Sequence, residues 1–253
     1  MGNHTEEMNA NQKNEYREKL INELSKIYTS FFKELKIDQT TGELNSNPSI
    51  KYAAYPFIGS NFGKIKKVLI IGLDIGSDNK LGKILGFDEG MKLIEQKKLS
   101  EHNPHISGCY ISALYLLMND LNWKKNWSLI TKTKTCHEAL CKENILPEVN
   151  PLSYIAFTNY HKFVTQQRTK RTGGENRKYQ NRKSEENLLI NEIKTFKPEV
   201  VLFQSVQFFT KKHTSLLSSI KLTGAKVLVG PHPSYRGKGK RQPSFFVSQF
   251  RKM

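Results

Sequence analysis

The stretch Lys67–Gly72 reads Lys-Val-Leu-Ile-Ile-Gly, an unbroken apolar run that ends at a glycine. Such runs are typical of a parallel strand that is buried on both faces. Three later runs have a similar β-rich character, and segments with helical features separate them: Tyr154–Thr158, Glu199–Gln204 and Lys226–Gly230. Strands that alternate with helices predict an α/β fold, here a three-layer α/β/α sandwich around a central, mainly parallel four-stranded sheet.

Helices are predicted before and between these strands. Asn11–Leu35 carries apolar residues at helical spacing. Ser184 is predicted to cap a helix that continues through Phe196, and Pro198 ends this helix. Two further segments are predicted to be helical, Ser112–Leu121 and Phe208–Ile220.

The segment Thr40–Ser49 is rich in turn-forming residues and separates the first helix from the body of the chain. We therefore predict an N-terminal tail and helix in residues 1–50 and a main domain in residues 51–253. A chain of 253 residues is long enough to bury a substantial core.

No apolar run approaches the roughly 18 residues that a membrane-spanning helix needs, and Met1–Lys13 lacks the apolar stretch of a signal peptide. The cysteines, Cys109, Cys136 and Cys141, are odd in number and suggest no disulfide framework. We expect a soluble, intracellular (cytoplasmic) monomer that does not bind membranes.

The chain is strongly basic, with 40 Lys and Arg against 23 Asp and Glu and a formal net charge of +17. This balance favours phosphate-rich partners, because neutralised phosphates release condensed counterions. Arg168–Lys183 holds seven basic residues and one acid, and Tyr235–Met253 holds six basic residues and no acid. Such clustering is what a surface that follows a nucleic-acid backbone needs. General lysine enrichment and a solvated insertion at 168–183 remain the alternatives.

Ligands of open α/β sheets bind beyond the carboxyl ends of the strands. The segments that follow the four predicted strands should therefore converge on one cleft. They are Gly72–Asp78, Asn159–Lys162, Ser205–Gln207 and Pro231–Arg236.

The first strand leads into Gly72-Leu73-Asp74-Ile75-Gly76. The glycines allow a tight turn and close approach of the backbone to a ligand, and Asp74 supplies a carboxylate at the cleft floor. The segment is neither a P-loop nor a full Gly-x-Gly-x-x-Gly motif. A carboxylate in this position is also common as a turn-former or a helix cap.

The last strand leads into Pro231-His232-Pro233-Ser234. The two prolines restrict the backbone and would hold the imidazole of His232 in one direction, which suits charge stabilisation or proton transfer. A histidine in an exposed proline-rich turn is the alternative. After the second strand, the amide of Asn159 can donate to and accept from a base edge, although asparagine is also a common turn residue.

Taken in order, these motifs resemble the uracil-DNA glycosylase superfamily. The resemblance lies in Gly72–Gly76, Thr158-Asn159 and His232–Ser234, and His105–Tyr110 looks like the segment that supplies an aromatic ring to stack on the base. It covers roughly Tyr55–Phe250. It implies a DNA-repair enzyme that hydrolyses the N-glycosidic bond of a damaged or deaminated, uracil-type base flipped out of DNA.

The resemblance also implies a role for each matching residue. Asp74 would position or activate water and stabilise the oxocarbenium-like sugar, and His232 would stabilise negative charge on the departing pyrimidine. Asn159 would pair with the Watson–Crick edge of the base, and Tyr110 would stack on its face. The other implied contacts are Gly72 and Leu73 at the base, and Ser234, Tyr235, Arg236, Lys238, Lys240 and Arg241 on the DNA backbone, with Tyr235 or Arg236 at the intercalating position.

Two other functions remain open. Ile75 stands where the superfamily usually has proline, and Gly76 and Ser77 stand where its uracil-specific branch has a methyl-excluding aromatic. The first alternative is therefore a glycosylase-like protein that binds nucleic acid, or mimics such binding, without cleaving it. The second alternative is an α/β protein that binds a small ligand and whose charge is background.

No cofactor or metal is expected. The iron–sulphur branches of the superfamily use four cysteines, and this chain has three. Cys136, His137 and Cys141 resemble part of a zinc site, but no fourth ligand has sensible spacing, so structural cysteines are favoured.

Overall fold

A computed structural model describes residues 10–52, 54–73, 83–96, 104–165, 182–210, 213–233 and 242–253. Within these ranges the chain forms eight α-helices, nine β-strands and short 3₁₀ turns. In chain order the helices and strands are α1 (Ala10–Leu35), β1 (Glu43–Leu44), β2 (Asn47–Tyr52), β3 (Phe57–Ile58), β4 (Val68–Gly72), α2 (Phe87–Gln96), α3 (Pro104–Leu117), α4 (Lys124–Ile130), α5 (Cys136–Leu140), β5 (Ile155–Asn159), β6 (Phe163–Thr165), α6 (Arg182–Phe196), β7 (Val200–Gln204), α7 (Thr214–Lys221), β8 (Lys226–Gly230), α8 (Pro243–Ser248) and β9 (Arg251–Lys252).

The main sheet has six strands in the order β3-β5-β4-β7-β8-β9. The four inner strands are parallel to one another, and they correspond to the four predicted strands within one residue at each end. The outer strands β3 and β9 are antiparallel to their neighbours. The prediction of an α/β fold is confirmed. The prediction of a four-stranded sheet needs correction, since the sheet is mixed and has six strands. The two edge strands were missed because a strand of two residues leaves no periodicity in the sequence.

Alternate residues of the inner strands face two different hydrophobic clusters. Leu69 and Ile71 of β4 face a cluster that includes apolar residues of α1, α6 and α7. Val68 and Ile70 face a second cluster, built with α3, α5 and α8. Helices thus cover both faces of the sheet, which explains why the inner strands are apolar at almost every position.

A second, three-stranded antiparallel sheet is formed by β1, β2 and β6. It includes much of Thr40–Ser49, which was predicted to be a turn-rich link. The predicted boundary between residues 50 and 51 falls inside β2, and α1 packs its Leu24, Tyr28 and Phe32 into the same cluster as the main sheet.

Three helix predictions need correction. α3 begins at Pro104 and not at Ser112, so the segment His105–Tyr110 is helical. α6 begins at Arg182, and Ser184 lies inside it, where its hydroxyl donates to Oε1 of Glu34 over 2.7 Å. The predicted helix Phe208–Ile220 is divided into a 3₁₀ turn at Val206–Phe209 and α7. Within the described ranges, no helix is both long and apolar enough to cross a membrane.

A buried ion pair lies between β5 and α6. Nζ of Lys162 is 2.7 Å from Oε2 of Glu192, and the two side chains are 2% and 0% exposed. The hydroxyl of Thr158 donates to Glu192 over 3.0 Å and accepts from Lys162 over 2.8 Å, and the hydroxyl of Tyr28 donates to Glu192. Burial lowers the pKa of Lys162, and burial next to Glu192 raises that of Tyr28. The polar groups satisfy one another, as buried charges require.

Glu192→Ala should lower the free energy of unfolding by about 3–5 kcal/mol, because it leaves the ammonium group of Lys162 buried without its counter-charge. Asp120→Ala is the matched control: it breaks the pair with Lys66, which is partly exposed, and should cost less than about 1 kcal/mol. Urea denaturation of both variants tests this. Equal losses would contradict a specific role for the buried pair.

Candidate functional site

The carboxyl ends of the four parallel strands lie in one row. Gly72 at the end of β4 pairs with Asn159 of β5, and Gln204 at the end of β7 pairs with Gly230 of β8. The row continues beyond the strands, since Tyr160 and His161 donate backbone hydrogen bonds of 2.9 Å to the carbonyls of Gly72 and Leu73. β5 and β8 are three strand spacings apart, a distance of about 14 Å between the two strands.

Asn159 and Gly72 are in close contact at this row. A Cβ atom at position 72 would lie 2.4 Å from Oδ1 of Asn159, so only glycine leaves room for the amide. This Oδ1 is buried and has no hydrogen-bond partner among the described residues. Leu73 is 7% exposed and packs in the core, so it can offer a ligand its backbone and not its side chain.

Several predicted site residues lie outside the described residues. Asp74 is one of them, and it follows directly on Leu73. The predicted DNA-backbone contacts Ser234, Tyr235, Arg236, Lys238, Lys240 and Arg241 are others, as is the greater part of the basic segment 168–183. Their roles stay predictions.

His232 is half-buried on the far side of the row, after β8. Its ring meets the ring of His105, in the first turn of α3, with centroids 4.7 Å apart and planes at 90°. One turn further along α3, a Cβ on Gly108 would be 2.3 Å from Cγ of Pro233. α3 is therefore packed directly against the Pro231-His232-Pro233 segment.

Tyr110 does not lie at the cleft surface. It is 1% exposed and packs in the cluster between α3 and the sheet, where burial raises its pKa. The reason is the helical conformation of His105–Tyr110, which turns Tyr110 toward the sheet while His105 and Gly108 contact the His232 segment. The structure places this aromatic ring in the core, and the stacking role given to it has no exposed ring face to support it.

A hydrogen-bonded group beneath the cleft was not predicted. Gln204 is 1% exposed and donates from Nε2 to the hydroxyl of Ser112 over 3.0 Å. That hydroxyl donates to the carbonyl of Gly108 over 2.7 Å, and the thiol of Cys109 is 3.6 Å from Oε1 of Gln204. These contacts join the end of β7 to α3. In the sequence, these contacts are indicated only by a polar residue, Gln204, at the end of an otherwise apolar strand.

A cavity of about 170 Å³ opens beside Asn159. Its walls are mostly apolar and come from β3, α2, β5 and the residues that flank them, and Thr158, Asn159 and Lys162 supply the polar groups. The apolar lining includes Tyr55, Phe57, Ile94 and Phe157. Sequence patterns could not predict the lining of this cavity, because its residues belong to separate elements and each apolar residue has the pattern of an ordinary core residue.

The residues that follow β5 are hydrogen-bonded to α6. The backbone N–H of Lys162 donates to Oε1 of Glu185 over 2.7 Å, and the hydroxyl of Tyr160 donates to Glu186 over 2.6 Å. Burial raises the pKa of Glu185 to about 7, although the N–H of Lys162 and its charge oppose the shift. Near neutral pH this carboxyl group is therefore partly protonated.

The three cysteines are unbonded to one another. Sγ of Cys141 is 3.8 Å from Nε2 of His137, and burial raises the pKa of Cys136 to about 12. In the parts of the chain that the structure describes, no three His, Cys, Asp or Glu residues are grouped as metal ligands.

Neither a protein-family model nor a curated protein matches the chain. The resemblance to the uracil-DNA glycosylase superfamily thus rests on its motifs and on their placement, and it stays a prediction.

Gly108→Ala should lower the free energy of unfolding by about 1–3 kcal/mol, because the new methyl group would overlap the rigid ring of Pro233. Gly90→Ala, in α2, is the matched control: the nearest atom to its new Cβ is 4.0 Å away, and alanine should stabilise the helix by up to about 1 kcal/mol. Urea denaturation measures both. A Gly108→Ala variant as stable as the wild type would contradict the close packing of α3 on Pro233.

Proposed function

We propose that the protein is a DNA glycosylase of three-layer α/β/α, uracil-DNA glycosylase-like architecture, which hydrolyses the N-glycosidic bond of a uracil-type base flipped out of DNA. One observation carries the proposal: Asn159, His232 and the strand that leads to Asp74 lie at the same edge of one sheet, and a cavity opens beside Asn159. The proposed chemistry needs a base-reading amide, a charge-stabilising group and a carboxylate around one sugar–base bond.

In the proposed reaction the C1′–N bond breaks and its electron pair leaves with the base. A water molecule adds its oxygen to C1′ and loses a proton, which leaves an abasic site and a free base. Asp74 orients this water and stabilises the positive sugar. His232 is assigned to stabilise the negative charge of the base, and a preorganised donor in this role accelerates reactions by roughly 10²–10³-fold.

The cavity beside Asn159 is the proposed base pocket. Its volume of about 170 Å³ is close to that of an engineered apolar cavity of about 150 Å³ that accepts benzene. This size favours a single-ring pyrimidine over a purine. Buried polar atoms normally have hydrogen-bond partners, so the buried Oδ1 of Asn159 is suited to receive an N–H of the base edge.

The charge of the chain supports DNA as the substrate. The net charge of +17 favours a polyanion as the partner. Contacts between cationic loops and the DNA phosphates offset the free energy needed to unstack a base. We assign these contacts to Ser234, Tyr235, Arg236, Lys238, Lys240 and Arg241.

Incubation with uracil-, hypoxanthine- and mismatch-containing oligonucleotides, followed by alkaline cleavage, should reveal abasic sites, and uracil should be the best substrate. Asp74→Asn and His232→Ala should each lower kcat at least about 100-fold while DNA binding survives. Asp120→Asn and His137→Ala are the matched controls and should keep full activity. Strand breaks with no substrate would refute the function, and full activity of either site variant would refute that residue's role.

A small-ligand-binding protein is the second candidate, because the cavity is small, mostly apolar and sized for one ring. Salt titration of binding to a duplex and to a single strand separates the candidates. For a DNA-binding protein that contacts five or more phosphates, the slope of log K against log salt should be about −4 or steeper. Weak binding with a flat slope would favour the small ligand, and steep binding without cleavage would indicate a glycosylase-like protein that has lost catalysis.

A further inference from the structure

The ring of His232 is held by α3, whereas its two flanking prolines hold only the backbone. The imidazole of His105 lies 4.7 Å from that of His232 at 90°, an edge-to-face contact of the kind that aromatic rings prefer. Such a contact restricts the rotation of the His232 ring, since turning it would bring the two rings into collision or apart. The two prolines fix the backbone of this segment but leave the side-chain torsions free.

The first turns of α3 are themselves fixed in place. Gly108 lies against Pro233 with no room for a Cβ, and the hydroxyl of Ser112 receives a hydrogen bond from the buried Gln204 at the end of β7. His105 therefore projects from an element that is anchored both to the sheet and to the segment it contacts. Rings supported in this way from a rigid element can hold a catalytic group in one orientation.

We propose that His105 is a positioning residue, which acts through His232 by fixing the plane of its imidazole toward the departing base. This inference rests on the proposed glycosylase function and adds to it a residue that contacts no substrate. A ring without a charge should fill the role, because the rings of His105 and His232 meet edge to face.

The test compares three substitutions of His105 in the full-length protein. His105→Ala and His105→Gln remove the ring and should lower kcat about 10- to 100-fold with little change in KM, since a misplaced catalytic group weakens the chemical step more than binding. His105→Phe keeps a ring and should restore most of kcat. The matched control His137→Ala changes a histidine on α5 that is not one of the proposed site residues, and it should have no effect.

Nuclear magnetic resonance gives a second readout that needs no activity. The chain has seven histidines, and the imidazole C–H signals of His232 can be assigned as those missing from His232→Ala. These signals should shift in His105→Ala, where the ring current of residue 105 is lost, and should stay near their wild-type positions in His105→Phe. Unchanged signals in His105→Ala would overturn the contact in solution.

The two readouts separate the failure of this inference from that of the proposed function. Full kcat in His105→Ala, in an active enzyme, overturns the positioning role. An equal loss in His105→Phe and His105→Ala overturns the ring-based explanation. If the wild type cleaves no substrate, the glycosylase function fails, and the resonance shifts alone decide whether His105 orients His232.

Discussion

The register of the four parallel strands determines which side chains can meet at the cleft. A shift of one residue in any of these strands would turn every one of its side chains to the opposite face. Asn159 would then point toward α1 and α6, and Gln204 would lose Ser112. Apolar patterning cannot set this register, because β4 and β7 are buried on both faces and accept apolar residues at every position. The register must depend on the few residues that are not interchangeable.

Those residues lie at the carboxyl ends of the strands. In β5, Thr158 donates to the buried Glu192 on one face, and the next residue, Asn159, lies over Gly72 on the other. In β8, a Cβ on Gly230 would come within 2.7 Å of the ring of Phe250. Each contact fails if its strand moves by one position. The polar groups and glycines that shape the candidate site are thus the same ones that align the sheet.

The sequence was a good guide to the inner strands and a poor one to their surroundings. Four β-rich runs identified the parallel strands, and the rule for strand ends predicted which segments would lie side by side. Gly108 lies outside the predicted helix Ser112–Leu121, although the structure places it within α3, where a Cβ would overlap Pro233. Long-range contacts of this kind leave no local pattern, and the same is true of the cavity lining and of the His105–His232 pair.

Two of the four strand ends add no side chain to the cleft. Gly72 has no side chain, and the side chain of Gln204 is drawn down toward α3 by Ser112. Asn159 and His232 lie on either side of these two strand ends, on segments about 14 Å apart. Two groups so placed cannot bind the same atom of a ligand, and the cavity is lined by Asn159 and not by His232. A base held in the cavity would therefore extend its sugar over Gly72, toward the segment that begins at Asp74.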